Sequence, residues 1–329
     1  MWSHAADAQT TADTQTTADT QVAFPGLDAN SLGALSIGHP HEGYLMNPVR
    51  MPEGKYWTVA LPNYAYGTEE TIAGLIHCIT LVNQRISNTP KVIIGSISKE
   101  GGGHFPPHKS HQSGRDADVG FYYNPGFPIA KPGTRENLDL ERTWALVRSF
   151  IIETDVDMIL IDSKVQRLLE VHALRRGEDP VWLKSVFHGT GRPYTALILH
   201  APGHDAHMHV RFSSPIARQR GKSSYATLVE QGHIKLRRTE IRHRVSRGDT
   251  LLGIAAKYHT SAETVRRLNH LESTKIRAGQ ALLIQKPEHL RGALDPIVVP
   301  KRRIPDSDAP SSSTSLAASS PFEPSAGEQ

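Results

Sequence analysis

The sequence predicts an α+β domain built on a largely antiparallel sheet, followed by a small β-α-α-β module near the C-terminus. Helix-spaced apolar stretches alternate with short β-branched runs through the first two thirds of the chain, and the last two runs, 196–199 and 207–212, lie as close as hairpin partners. A separate pattern at 243–285 reads as strand, turn, two short amphipathic stretches and closing strand. At 329 residues with 38% hydrophobic content, the chain has room for one sizeable body, a smaller one and little-structured ends.

The ends come first. Residues 1–22 repeat a Thr-Ala-Asp-Thr-Gln theme that offers too little apolar surface to offset the entropy of ordering, so a disordered arm is expected. The first body is expected over 23–218, a basic linker over 219–242, the second module over 243–286, and a Pro/Ser-rich disordered tail over 287–329. The body opens on the Gly-punctuated stretch 31–38 and passes Pro48, Pro52 and Pro62, which favours loops and short strands. Ile72, Leu75, Ile76, Ile79, Val82 and Ile86 then predict a helix capped by Thr68, with Cys78 as a small core residue. Strands are expected at 91–98, 116–123, 158–161, 196–199 and 207–212, and helices at 137–153 and 165–174.

Charge narrows the partners. The formal net charge is +4 and the pI is near 9.1, with the excess gathered around Arg218–Arg247. Such a strip favours anionic polymers or is a solvated surface run. Neither a paired-cysteine zinc finger nor an aromatic RNA-binding strand accompanies it, so no nucleic acid is expected. Cys78 is the sole cysteine, which excludes an intrachain disulfide and cysteine-based metal sites. No run of about 18 apolar residues is present, so no transmembrane segment is expected, and the first residues lack the basic and apolar regions of a secretory signal.

Histidine, at 18 copies, is the unusual count. The stretch 101–118 packs His104, His108, His111, Asp116 and Asp118 into a Gly/Pro-rich loop and the strand after it; far downstream come His204, His207 and His209. On a strand, residues two apart share a face, so His207 and His209 can point into one site. A catalytic zinc needs three N/O ligands and an open position, and His111, Asp118 and His209 supply such a set. His207, beside the metal, is expected to move the proton between water and leaving amine, and His204 to stabilise the oxyanion or orient the substrate.

These residues also carry a resemblance. Ser-His-Gln-x-Gly-x-Asp-x-Asp at 110–118, joined to His-x-x-His-x-His-Val-Arg at 204–211, resembles the penicillin-insensitive murein endopeptidases, a metallopeptidase group that also holds D-alanyl-D-alanine dipeptidases and hedgehog-like domains. The resemblance spans about 31–215 and implies a hedgehog/D,D-peptidase-like sheet. It further implies Zn2+ on His111, Asp118 and His209, with His108, His204 and His207 as further active-site residues. The implied reaction is hydrolysis of D-alanyl to meso-diaminopimelyl cross-links in peptidoglycan, in the periplasm or outside the cell. Asp116 is expected to support the ligands from behind, or simply to be a turn aspartate. Ser214 stands where relatives carry a cysteine before proline, and His104 with Phe-Pro-Pro alters the loop before His108.

The 243–285 pattern resembles LysM, which implies binding of N-acetylglucosamine-containing glycan in a groove formed by Gly248, Asp249, Thr250, Asn269, Leu271 and Ile276. Gly248 and Asn269 equally suit turn geometry. Two other readings stand beside the endopeptidase: a D,D-carboxypeptidase or dipeptidase on the same metal site, and a non-catalytic peptidoglycan-binding protein.

Overall fold

The computed structural model describes residues 32–192 and 194–305. The expected arm at 1–22 and the part of the expected tail beyond 305 lie outside the described residues.

The chain opens with a hairpin, β1 (Leu35–His39) and β2 (Glu42–Met46), followed by the short strands β3 (Val49–Arg50), β4 (Trp57–Val59) and β5 (Tyr66–Gly67). Helix α1 (Glu69–Arg85) starts at Thr68, whose hydroxyl accepts the Thr71 N–H, and buries Ile72, Leu75, Cys78, Ile79 and Val82 at the expected spacing. Strands β6 (Val92–Ile94) and β7 (Asp116–Gly120) enclose the Gly/Pro/His loop. Then come α2 (Leu140–Glu153), β8 (Val156–Ile161), α3 (Ser163–Arg175), α4 (Pro180–Phe187), β9 (Ile198–His200), β10 (His207–Phe212) and α5 (Pro215–Glu230). The second module is β11 (Arg237–Arg244), α6 (Leu251–Lys257), α7 (Ala262–Leu268) and β12 (Ala281–Glu288).

The architecture is α+β. One six-stranded sheet has the order β4-β6-β7-β10-β8-β9; its centre is antiparallel, while β4 runs parallel to β6 and β9 parallel to β8 at the edges. The strand period decides what faces what. Ala117 and Val119 of β7, with Met208 and Val210 of β10, enter the main core beside residues of α1, α2, α3 and α4. Each large apolar side chain withdrawn from water there contributes about 1.5–3 kcal/mol. The alternate residues, Asp116, Asp118, His207, His209 and Arg211, are thereby committed to the other face.

The last two strands, expected as close as hairpin partners, are separated by β8, which pairs antiparallel with β10 and parallel with β9. Two further stretches differ from the sequence expectation. Residues 219–242, expected as a basic linker, are occupied by α5 and the start of β11. Helix α5 packs on β1 and buries Ala217, Gly221, Ser224, Tyr225 and Leu228; its buried stripe is mostly small or polar, so its spacing carries little hydrophobic signal. Its start is fixed from α1, where Glu70 accepts the N–H groups of Ile216 (2.8 Å) and Ala217 (3.0 Å). Ser214, at φ 44°, sets its hydroxyl 2.9 Å from Thr68 Oγ1 and 3.2 Å from Thr71 Oγ1, a hydroxyl cluster where a disulfide was not available. Likewise, residues 287–305 of the expected tail are anchored. Leu290 and Ala293 pack with Leu35, Ile37 and Tyr225, Arg302 Nε donates to Asp155 (2.6 Å), and Trp182 Nε1 donates to the Arg303 carbonyl (2.8 Å). Only two apolar side chains and a few polar contacts hold that return path, too sparse a pattern for periodicity to register.

Candidate active site

The site is built where β7 and β10 lie side by side. Their antiparallel register pairs His209 with Asp118 and Arg211 with Asp116. The loop from His108 to Gly114 closes over this pair. It is backed by the glycine run, where Gly102 has φ 64° and any Cβ would collide with the Gln112 carbonyl.

His111 is fixed from three directions. Its backbone N–H donates to Asp116 Oδ2 (3.0 Å), its carbonyl accepts from Ser98 Oγ (2.6 Å), and its ring Nδ1 donates to the Ile97 carbonyl (2.9 Å). These ties hold it at φ 67°, a left-handed conformation that costs a non-glycine residue about 1–3 kcal/mol and persists only where the surroundings over-determine it. With its proton on Nδ1, His111 presents the Nε2 lone pair toward Asp118 Oδ1, 3.3 Å away. His209 Nδ1 lies 3.1 Å from the same oxygen and His207 Nε2 lies 3.9 Å from it.

A lone pair aimed at a carboxylate oxygen is repulsive unless a cation stands between them. Two imidazoles and one carboxylate converging in this way fit a divalent metal of the zinc type. Among the described residues, His108, His111 and Asp118 form a group whose ligand atoms lie within 4.8 Å of one another. His108 Nδ1 stands farther out, 3.9 Å from Asp118 Oδ2, with its Nε2 3.3 Å from Ser96 Oγ. The His204 ring lies 4.9 Å from His207, tilted by 40°, and 6.0 Å from His209. Every histidine the sequence pointed to is therefore in this cluster except His104, whose backbone carbonyl accepts from Lys99 Nζ (2.5 Å).

Charge is organised around two buried aspartates. Burial works against the ionised Asp116, but Arg211 and His209 hold its carboxyl well below the usual range. Arg211 forks onto it through Nε (2.6 Å) and Nη2 (3.0 Å). Asp118 is likewise held low against its own burial by the neighbouring His111 and His209 rings. Burial would lower His209, yet Asp116 and Asp118 outweigh it and push the ring up to about 9. In the metal-free chain His209 thus carries a proton that a cation must displace. Its Nε2 is buried without a hydrogen bond, 3.5 Å from Asp116 Oδ1, which is where a supporting carboxylate belongs behind a metal-bound imidazole. His108, His204 and His207 are all lowered, chiefly by burial, and are neutral at pH 7.

Comparison with known proteins matches the sequence to a family. The family model described as penicillin-insensitive murein endopeptidase matches residues 36–233. The chain belongs to that family. A LysM domain model matches residues 243–285. Among curated relatives, the penicillin-insensitive murein endopeptidase of Pectobacterium atrosepticum is 25% identical over 198 residues, covering 55% of this chain and 65% of that protein. The chain thus spans a little under two thirds of that relative's length.

Sequence reasoning did not single out Arg211 as the clamp on Asp116, nor the β1–β2 turn as a support of the His108–Gly114 loop. The first was readable from strand alternation, since Arg211 sits two beyond His209. The second was not, because only the folded chain brings the Pro40 carbonyl to the Gln112 N–H (3.1 Å).

In the LysM segment, the residues expected to bind glycan also carry structure. Asn269 donates to the Val265 (2.8 Å) and Leu283 (2.7 Å) carbonyls and accepts the Leu283 N–H (2.6 Å), so its amide is committed to the backbone. Asp249 accepts the Ser246 N–H (2.7 Å) and lies 3.2 Å from His243 Nε2, while Thr250 caps α6. Leu271 and Ile276 pack at the edge of the module's core, and Gly248 turns at φ 93°.

Proposed function

We propose that this chain is a zinc-dependent peptidase that hydrolyses the D-alanyl to meso-diaminopimelyl cross-link of peptidoglycan, with its LysM segment holding N-acetylglucosamine-containing glycan. The observation that carries the reading is the convergence of His111 Nε2 and His209 Nδ1 on one oxygen of Asp118. These three residues would hold the metal, with His108 nearby. Family membership and the LysM likeness support peptidoglycan as the substrate class and an extracytoplasmic site of action.

Zinc at this position would supply a Lewis acid that polarises the scissile carbonyl and makes water a competent nucleophile near pH 7. The chain's own side chains do the remaining work. His207, half-buried and neutral, accepts the proton of the attacking water and returns it to the leaving amine. His204, tilted against His207 and with its Nδ1 on the Pro202 carbonyl (3.3 Å), orients the substrate. Asp116 keeps His209 oriented and is itself neutralised by Arg211.

The test compares cross-linked muropeptide dimers with pentapeptide monomers as substrates, with and without chelator. Chelator-sensitive cleavage of dimers is expected. Release of terminal D-alanine from monomers alone would instead make the chain a carboxypeptidase, and no cleavage of either would leave a binding protein.

A further inference from the structure

Beside the histidine cluster, a groove of about 510 Å3 runs between α3 and the loop before α2. Arg135 stands on the loop side, and Lys164, Arg167 and Arg175 line the other wall along α3. Their successive spacings of three and eight residues put the α3 cations on one helical stripe. Among the described residues, none of these four side chains has an ion pair or hydrogen bond to an acidic group, and all four are exposed. No aspartate or glutamate lines the groove. Glu141 stands near its edge, but is taken up by His172 (3.5 Å) and Arg176 (3.2 Å); Glu170 of α3 is taken up by His188 (2.7 Å). The floor is apolar, made by Leu140, Leu168 and the exposed Val171.

Both walls are fastened to the turn that carries His204. The Gly133 N–H donates to the Asp205 carbonyl (2.7 Å), and the Asp162 N–H at the head of α3 donates to the His204 carbonyl (2.8 Å). The groove therefore begins where the active-site turn ends. Unpaired cations cost their own mutual repulsion, and a concave run of them without any acid is a surface arranged for an anion.

We propose that this groove is a second substrate-binding site, one that takes a carboxylate-bearing stem peptide of peptidoglycan next to the bond being cut. This rests on the cell-wall reading above and adds where the substrate lies. A stem peptide matches both features of the groove. Its free carboxylates meet the four cations, and the methyl and methylene groups of its alanine and diaminopimelate residues meet Leu140, Leu168 and Val171. A phosphate polymer offers nothing comparable to that floor.

The test uses the full chain carrying His207→Ala, so that binding is read without turnover, with and without Arg135→Gln, Arg167→Gln and Arg175→Gln together. The probe is a soluble cross-linked muropeptide dimer, with its free carboxylates intact or amidated, at low salt. The three charge changes are expected to weaken the intact dimer about tenfold and the amidated dimer hardly at all, with zinc content and thermal midpoint unchanged. Equal affinities for the intact dimer would overturn the proposal. So would a loss confined to a glycerol-phosphate polymer added as the competing ligand. Dimer binding that depends on the groove in a chain that never cleaves would uphold this site while removing the hydrolase; cleavage by the unaltered chain with groove-independent binding does the reverse.

Discussion

Replacing Asp116 by alanine removes a buried anion that ties the ligand loop to the sheet. The carboxylate is fully buried and accepts three hydrogen bonds: 2.6 and 3.0 Å from Arg211, and 3.0 Å from the His111 backbone. Deleting it leaves Arg211, 7% exposed, as a buried cation without its hydrogen-bonded counter-ion, which costs ~3–5 kcal/mol. The orphaned His111 N–H adds ~1–3 kcal/mol. The two losses share one site and overlap, so a net destabilisation of about 4 kcal/mol is expected. Asp116→Asn, which keeps the shape and one acceptor, should lose roughly half of that. Because His209 Nε2 also loses the carboxylate it faces, zinc affinity should fall about 10–100-fold in both variants. The pH dependence has a definite sign. Burial opposes the Asp116 charge, but Arg211 and His209 hold the folded pKa below the unfolded value of about 3.9. The stabilisation is therefore complete above that value and is lost as pH falls below about 4. Urea unfolding at pH 7 and in the range just below pH 4, with zinc titration alongside, measures all of this. A loss under about 1 kcal/mol at pH 7 with unchanged zinc uptake would mean that Asp116 is a mere turn residue.

The other expectations follow from the same geometry. His207→Ala should retain zinc and lose about 10²–10⁴-fold in kcat on muropeptide dimers, whereas His209→Ala should lose metal and activity together; active, metal-free His209→Ala chain would remove that ligand from the scheme. Excising residues 240–285 with a short Gly/Ser bridge, possible because Thr239 pairs with Lys286 across the β11–β12 hairpin, should weaken action on whole sacculi far more than on soluble muropeptides. Equal losses on the two substrates would deny the LysM segment a tethering role. Burial raises the Cys78 thiol far above its ordinary value and leaves it inaccessible, so thiol reagents should label it only on unfolding; prompt labelling of native chain would contradict the packing of α1.

How much was legible depended on how strongly each element declares itself. Helix α1 combines a Thr68 cap with a dense apolar stripe, and β10 couples His207 and His209 to alternating Met208 and Val210, so both were readable. Helix α5 was not, because Gly221 and Ser224 do in its interface what Ile72, Leu75 and Ile79 do in α1. Helix α4 escaped for another reason: its buried residues Trp182, Leu183, Val186 and Phe187 span only two turns beside a Gly-rich segment. The site's donors were readable as residue types at spacings that one strand face and one loop can bring together. What the spacing could not supply was the depth of Asp116, the Arg211 fork, or the left-handed turn at His111, since each is set by contacts between elements far apart in the chain.

The most direct measurement is zinc content and dimer cleavage on the same sample, for the unaltered chain and for Asp118→Ala. A single zinc bound tightly by the unaltered chain is predicted, with both metal and cleavage gone in the variant and neither restored by added zinc at micromolar concentration. Cleavage that survives in metal-free Asp118→Ala chain would contradict a cation shared by His111, Asp118 and His209.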